Sequence, residues 1–181
     1  GYVWGAQVEA GSFPTSYIPN PASSTVTRTA DVVQFNGVPL AALQGAAVTA
    51  VVETADNPTA NTLARILAVN GGKGPLVVST IATQGGSWDG SNLLTVNLLS
   101  GNFSATQRSA IAWSSASRSL AISGSAVSKD SGTFTGVTTA WLGYNNNSDP
   151  VWNGHIRSAA VWNQRLPDAK LKSLSVVGAP F

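Results

Sequence analysis

The chain has 181 residues, with 10 Lys and Arg against 8 Asp and Glu, one His, no Cys and no Met, and only 10% of it is charged. That length suits one substantial domain with a single core. The missing cysteines exclude disulfides, thiolate metal sites and thiol redox chemistry, and basic residues scattered without a stripe lack the electrostatic footprint of a nucleic-acid or anionic-membrane binder.

Short polar residues replace the missing charges, and such a surface suits strands and turns better than exposed helices, which lean on Glu and Lys. Period-two alternation predicts strands over 2–9, 25–35, 46–54, 63–69, 75–82, 93–99, 108–113, 119–123, 138–144 and 155–162. Turn residues separate them: Asn36-Gly37, Asp56-Asn57-Pro58, Asn70-Gly71-Gly72 and Gly85-Gly86. The run Asn70-Gly71-Gly72-Lys73-Gly74-Pro75 lacks the spacing of a phosphate loop and has no helix after it, so it reads as a β-turn. Helical signals are few. Residues 38–44 suit one or two turns, and 166–174 suit a helix, with Pro167 at its start, Asp168 in the first turn, Lys170 and Lys172 near the end, and Leu171 and Leu174 on one face. The expected fold is all-β, a two-sheet antiparallel sandwich with a short C-terminal helix. Residues 1–24 are expected to be a strand and linker from an upstream module, and 25–181 the sandwich domain. The chain opens Gly-Tyr-Val-Trp without Met and is expected to be cut from a longer polypeptide; it carries neither a secretory leader pattern nor an apolar run of membrane-spanning length.

Catalytic groups are sparse, and the expectation is a binding or adhesion module that is not an enzyme. Glu9 and Glu53 are the only glutamates and read as solvent-facing strand residues. The carboxylate alternation along one strand that glycan hydrolysis uses in β-sandwiches is missing. His155 is the only histidine, no Gly-x-Ser-x-Gly elbow accompanies it, and zinc ligation by several His is unavailable. A polysaccharide lyase using Tyr144, His155 and Arg157, or a hydrolase, stays as a minor alternative.

Six tryptophans stand out in so uncharged a chain. Trp113, Trp141 and Trp162 lie in predicted strands among aliphatic residues and read as core; Trp4 reads as a packing or interdomain residue. Trp88 and Trp152 lie in turn-rich segments expected to be exposed, where an aromatic face can stack on a sugar ring. Between them in sequence, Asn145, Asn146, Asn147 and Asp149 offer amides and a carboxylate suited to sugar hydroxyls, or equally to ordinary hairpin geometry. The candidate ligand set is therefore Trp88, Tyr144, Asn145, Asn146, Asn147, Asp149 and Trp152, with His155 and Arg157 beside them. His155 reads first as a strand-edge residue bonded to backbone, and second as a ligand contact. No catalytic residue, metal site or cofactor is expected; calcium is the one cation the loop would suit, and Asp149 is its only carboxylate.

Two stretches carry a resemblance. Residues 4–19, Trp-Gly-Ala-Gln-Val-Glu-Ala-Gly-Ser-Phe-Pro-Thr-Ser-Tyr-Ile-Pro, followed by Thr27-Arg28-Thr29-Ala30-Asp31, resemble a junction in bacteriophage and prophage tail or fibre proteins that leads into a concanavalin A-like, laminin-G-like jelly roll. The closing half, from Leu142-Gly143 through Trp152-Asn153-Gly154-His155-Ile156-Arg157 to Arg165-Leu166-Pro167-Asp168-Ala169-Lys170-Leu171, resembles the last strands and terminal helix of that jelly roll. The resemblance implies a virion setting at the bacterial cell surface, binding of host surface glycan, and a trimeric fibre, with no nucleic-acid or membrane-inserted partner. A structural or oligomerisation role in the virion is the alternative it leaves open.

Overall fold

The structure, a computed structural model, describes residues 33–55, 64–70, 72–78, 84–97, 105–143, 152 and 154–181, which belong to one compact unit, Val32–Phe181. The expected boundary near residue 24, the strand at 2–9 and Trp4 lie outside the described residues.

Val48, Ala50 and Val52 alternate with Thr49, Val51 and Glu53, and this alternation becomes strand β2 (Ala47–Ala55). Its first set faces the core between two sheets, while Val51 faces outward into a second cluster. The other strands are β1 (Val33–Gln34), β3 (Arg65–Val69), β4 (Lys73–Val78), β5 (Gln84–Trp88), β6 (Leu93–Asn97), β7 (Gln107–Ser114), β8 (Arg118–Ile122), β9 (Ser128–Asp130), β10 (Ala140–Leu142) and β11 (His155–Trp162). A six-stranded sheet runs β1-β10-β3-β4-β5-β6 and a five-stranded sheet runs β11-β2-β7-β8-β9. Every pairing among the described residues is antiparallel. The expected all-β sandwich is what forms.

Between the sheets lie Leu43, Ile66, Leu67, Leu76, Ile111, Leu120 and Ile122, with Trp113 set edge-on against Phe134 at 5.4 Å. Trp113 and Trp141 are buried as expected, at 1% and 6% exposure. Trp141 alternates away from Ala140 and lies on the other side of its strand. Trp162 is half-buried on the outer face of the five-stranded sheet, 6.2 Å from the Phe181 ring.

Helix α1 (Gly37–Leu43) enters the core through Leu43; Asn36-Gly37, expected as a turn, instead opens this helix. Helix α2 (Asp168–Leu174) starts after Pro167, whose φ of −60° suits a helix entry. Seven residues are too few for a helix to persist alone in water. It is held because Leu171 and Leu174, three apart, pack on Val51, Ala110, Ala112 and Ala121, whose small side chains let the helix approach the sheet. Thr49 ties the preceding segment down, donating to the Gln164 carbonyl at 2.8 Å and accepting the Leu166 amide at 2.9 Å.

Two further segments differ from the sequence expectation. Gly85-Gly86 is not a turn but the middle of β5, because a Cβ on Gly86 would lie 2.9 Å from Leu93 Cδ1 and 3.1 Å from the Leu94 carbonyl oxygen. Glycine lets β6 pair closely there, so a turn-like composition serves a strand. Glu53 is also not solvent-facing. It accepts the Gly178 amide and lies 3.7 Å from the Arg108 guanidinium, covered by the C-terminal segment, and Arg108 also donates to the Ala179 carbonyl and lies over the Phe181 ring.

Candidate functional site

On β5 and β6, residues directly opposite share a face. Val96 belongs to the core and Leu94 packs against it, so their partners Gly85 and Ser87 face inward. The other set, Gln84, Gly86 and Trp88 against Asn97, Thr95 and Leu93, forms a strip on the outer face. Trp88 is half-buried at one end beside Leu93, and Gln84 lies four residues away, about 13 Å along the strand. At that far end Gln84 Nε2 donates to Asn97 Oδ1 at 2.8 Å on the exposed surface. Whichever amide donates, one carbonyl oxygen and one NH2 group of the pair stay available.

β6 is the edge of its sheet, β9 is the edge of the other, and the two edges meet. A cleft of about 350 Å³ opens along that junction, lined on one side by Gln84, Thr95, Val96 and Asn97 and on the other by Ser125, Ala126 and Ser128. The Ser125 hydroxyl accepts the Ile122 amide at 3.0 Å and so shapes the turn between β8 and β9. The cleft thus presents amides and hydroxyls without a charged side chain among its described lining.

Toward the Trp88 end of these strands, Arg118 sits between the sheets at 0% exposure. It donates from Nε and Nη2 to the two Asp130 oxygens at 2.7 and 2.8 Å, to Ser87 Oγ at 3.3 Å and to the Asn92 carbonyl at 3.0 Å. Asp89 lies 3.5 Å from the same guanidinium and accepts the Ser91 and Asn92 amides at 2.8 and 2.7 Å, closing the β5–β6 turn. The Arg118 hydrogen bond holds the Asp130 carboxyl below its usual range against the opposing effect of burial. Burial pushes Asp89 up, but its two amide donors and Arg118 outweigh it and bring it low. The Lys129 ammonium, 2.9 Å away, does the same for Asp168. Carboxyls depressed in the folded state stabilise it above their unfolded pKa, near 3.9, and lose that contribution as pH falls through the folded value. The transition temperature is therefore expected to hold level from about pH 6 to pH 4.5 and to fall below about pH 4; a transition temperature that stays level to about pH 2.5 would contradict these assignments.

The predicted ligand set does not assemble into one patch. Trp88 is placed on the outer strip, in a strand and not in a turn. Trp152 is not exposed: at 7% exposure it belongs to the core. Its amide donates to the Gly143 carbonyl at 3.0 Å, and Gly143, at φ +67°, carries no Cβ where Ile156 Cδ1 would lie 3.3 Å away, so the indole can tuck between β10 and β11. β10 is three strand spacings, about 14 Å, from β5. His155 and Arg157 are exposed at the start of β11, on the edge of the five-stranded sheet opposite β9, with Arg157 at a register shift. Tyr144, Asn145, Asn146, Asn147 and Asp149 lie outside the described residues, and with them the loop considered for calcium. The cleft itself leaves little trace in the sequence. The alternations Gln84-x-Gly-x-Trp88 and Leu93-x-Thr95-x-Asn97 were its only signal, and the glycines masked the first.

Two antiparallel sheets in this order, with the terminal helix on the outer face of one of them, define a concanavalin A-like jelly roll. Among solved structures the chain is similar to the CBM40 of Ruminococcus gnavus IT-sialidase bound to α2,3 sialyllactose, at TM-score 0.55 and 18% identity over 75% of this chain and 86% of that one. It is also similar to a SAP-like pentraxin from Limulus polyphemus, at TM-score 0.55 and 11% identity over 75% and 72%. Domains LG4-5 of the mouse laminin α1 chain align at TM-score 0.51 and 11% identity, over 76% of this chain and 42% of that one. At these identities the likeness is one of fold. No protein-family model matches the sequence, and comparison with curated proteins finds no match.

Proposed function

We propose that this chain is a non-catalytic recognition domain of a phage tail or fibre protein that binds carbohydrate on the bacterial cell surface. The observation that carries the glycan half is the outer strip on β5 and β6, where a half-buried Trp88 shares one face with the Gln84–Asn97 amide pair and the uncharged cleft. An aromatic ring and free amides are what a sugar offers partners for: its C–H face stacks and its hydroxyls need donors and acceptors together. The sialyllactose bound by the R. gnavus neighbour supports the same use of the fold. The absence of catalysis is supported by the four described carboxylates, Glu53, Asp89, Asp130 and Asp168, each of which is engaged by a backbone amide or a cation. The tail or fibre setting rests on the resemblance carried by residues 4–19 and 27–31. Single lectin-like sites are weak, and presentation on a trimeric fibre would supply affinity through multivalency.

Fluorescent, multimerised chain is expected to label intact host bacteria, to lose that labelling after periodate oxidation of cell-surface diols, and to bind about tenfold less when Trp88→Ala removes the stacking face. Labelling that survives periodate but is lost after protease treatment would point to the alternative, an assembly module whose partner is protein.

A further inference from the structure

We infer that the cleft between β6 and β9 takes an uncharged sugar, reading a pair of adjacent hydroxyls through Gln84 and Asn97, and rejects acidic sugars such as sialic acid. This rests on the carbohydrate reading above and deepens it. A carboxylate leaving water needs a cation or several donors to replace its hydration. The described stretches that carry the cleft's lining, 84–88, 93–97 and 119–128, hold no Asp, Glu, Lys, His or Arg. The charged residues that border these stretches in sequence, Asp89, Arg118 and Lys129, with Asp130 next to them, are already committed. Lys129 follows Ser128, but its ammonium is on the other face of the sheet, 2.9 Å from Asp168. Asp130 holds Arg118, and Arg118 is fully buried. Asp89 is spent on its own turn. Beside the Thr95 and Ser128 hydroxyls, the pair keeps one amide carbonyl and one NH2 group side by side, the complement of two neighbouring hydroxyls, each of which can donate and accept at once. A volume of about 350 Å³ falls at the small end of ligand sites, enough for a short stretch of glycan. The ligand class therefore differs from the sialylated one bound by the R. gnavus neighbour, although the fold is shared.

The test is a printed array of neutral oligosaccharides and polysaccharides matched to sialylated and uronate-bearing counterparts, lactose and α2,3-sialyllactose among them, probed with the multimerised full chain. Wild type and the double variant Gln84→Ala/Asn97→Ala are compared; both side chains are at the surface, and a circular dichroism melt confirms that the variant folds. Binding is expected on neutral glycans alone, falling about tenfold or more in the double variant, as for the loss of one or two direct hydrogen bonds. Preference for the acidic counterparts would overturn this inference and leave the carbohydrate reading standing. Neutral binding unchanged by the double variant would overturn the assignment to this cleft. A blank array would overturn both.

Discussion

Replacing Arg118 with methionine is expected to destabilise the domain by about 3–5 kcal/mol, a fall in transition temperature of roughly 6–20 °C. The side chain is fully buried, so the substitution removes one partner of a desolvated pair and strands the other. Asp130 loses two charge-assisted bonds at 2.7 and 2.8 Å, and Ser87 and the Asn92 carbonyl lose one each. The Asp130 carboxyl is itself 30% exposed and recovers some hydration, which favours the lower part of the range. Since domains of this kind are stable by only about 5–15 kcal/mol, the loss is a large fraction of the whole. Adding Asp130→Asn, which keeps an acceptor for the Gly132 amide while removing the stranded charge, is expected to restore about 1–2 kcal/mol. Equilibrium urea unfolding of the two variants measures both quantities. A single variant within about 0.5 kcal/mol of wild type would show that the guanidinium does not hold the two sheets together.

Trp152→Ala is expected to cost about 3–5 kcal/mol as well, by a different route. The indole fills space between β10 and β11 beside Gly143 and Ile156, and its removal leaves a cavity that the two sheets close only in part. Because the residue is core and not ligand contact, neutral-glycan binding by the folded fraction should stay unchanged. Chemical denaturation followed by array binding below the transition separates the two effects. A loss under 1 kcal/mol together with abolished binding would return Trp152 to a ligand site.

That residue marks where sequence legibility ended. The elements whose signals are local were readable: β2 and β11 from period-two alternation, and α2 from Pro167, Asp168 and the Leu171–Leu174 spacing. β11 forms over the expected range and β2 shifts by one residue. β5 was not readable, because Gln-Gly-Gly-Ser-Trp has the composition of a turn and becomes a strand only through close pairing with Leu93 and Leu94. Trp152 was misread for a related reason. Its polar neighbours in sequence say loop, while its burial comes from the meeting of β10 and β11, which no local pattern encodes. Arg118 gave no signal, since a lone arginine in a polar stretch reads as solvated and its buried network needs groups from β5, the β5–β6 turn and β9. The cleft is the deepest case. It exists because β6 and β9 are both edges and lie together, a fact of topology invisible in either strand.

Array binding of the multimerised chain, wild type against Gln84→Ala/Asn97→Ala, tests the central claim most directly. A jelly roll that recognises carbohydrate through its β5–β6 strip should bind glycans as wild type and lose about tenfold or more in the variant. An array that stays blank for the multimerised wild type would contradict it.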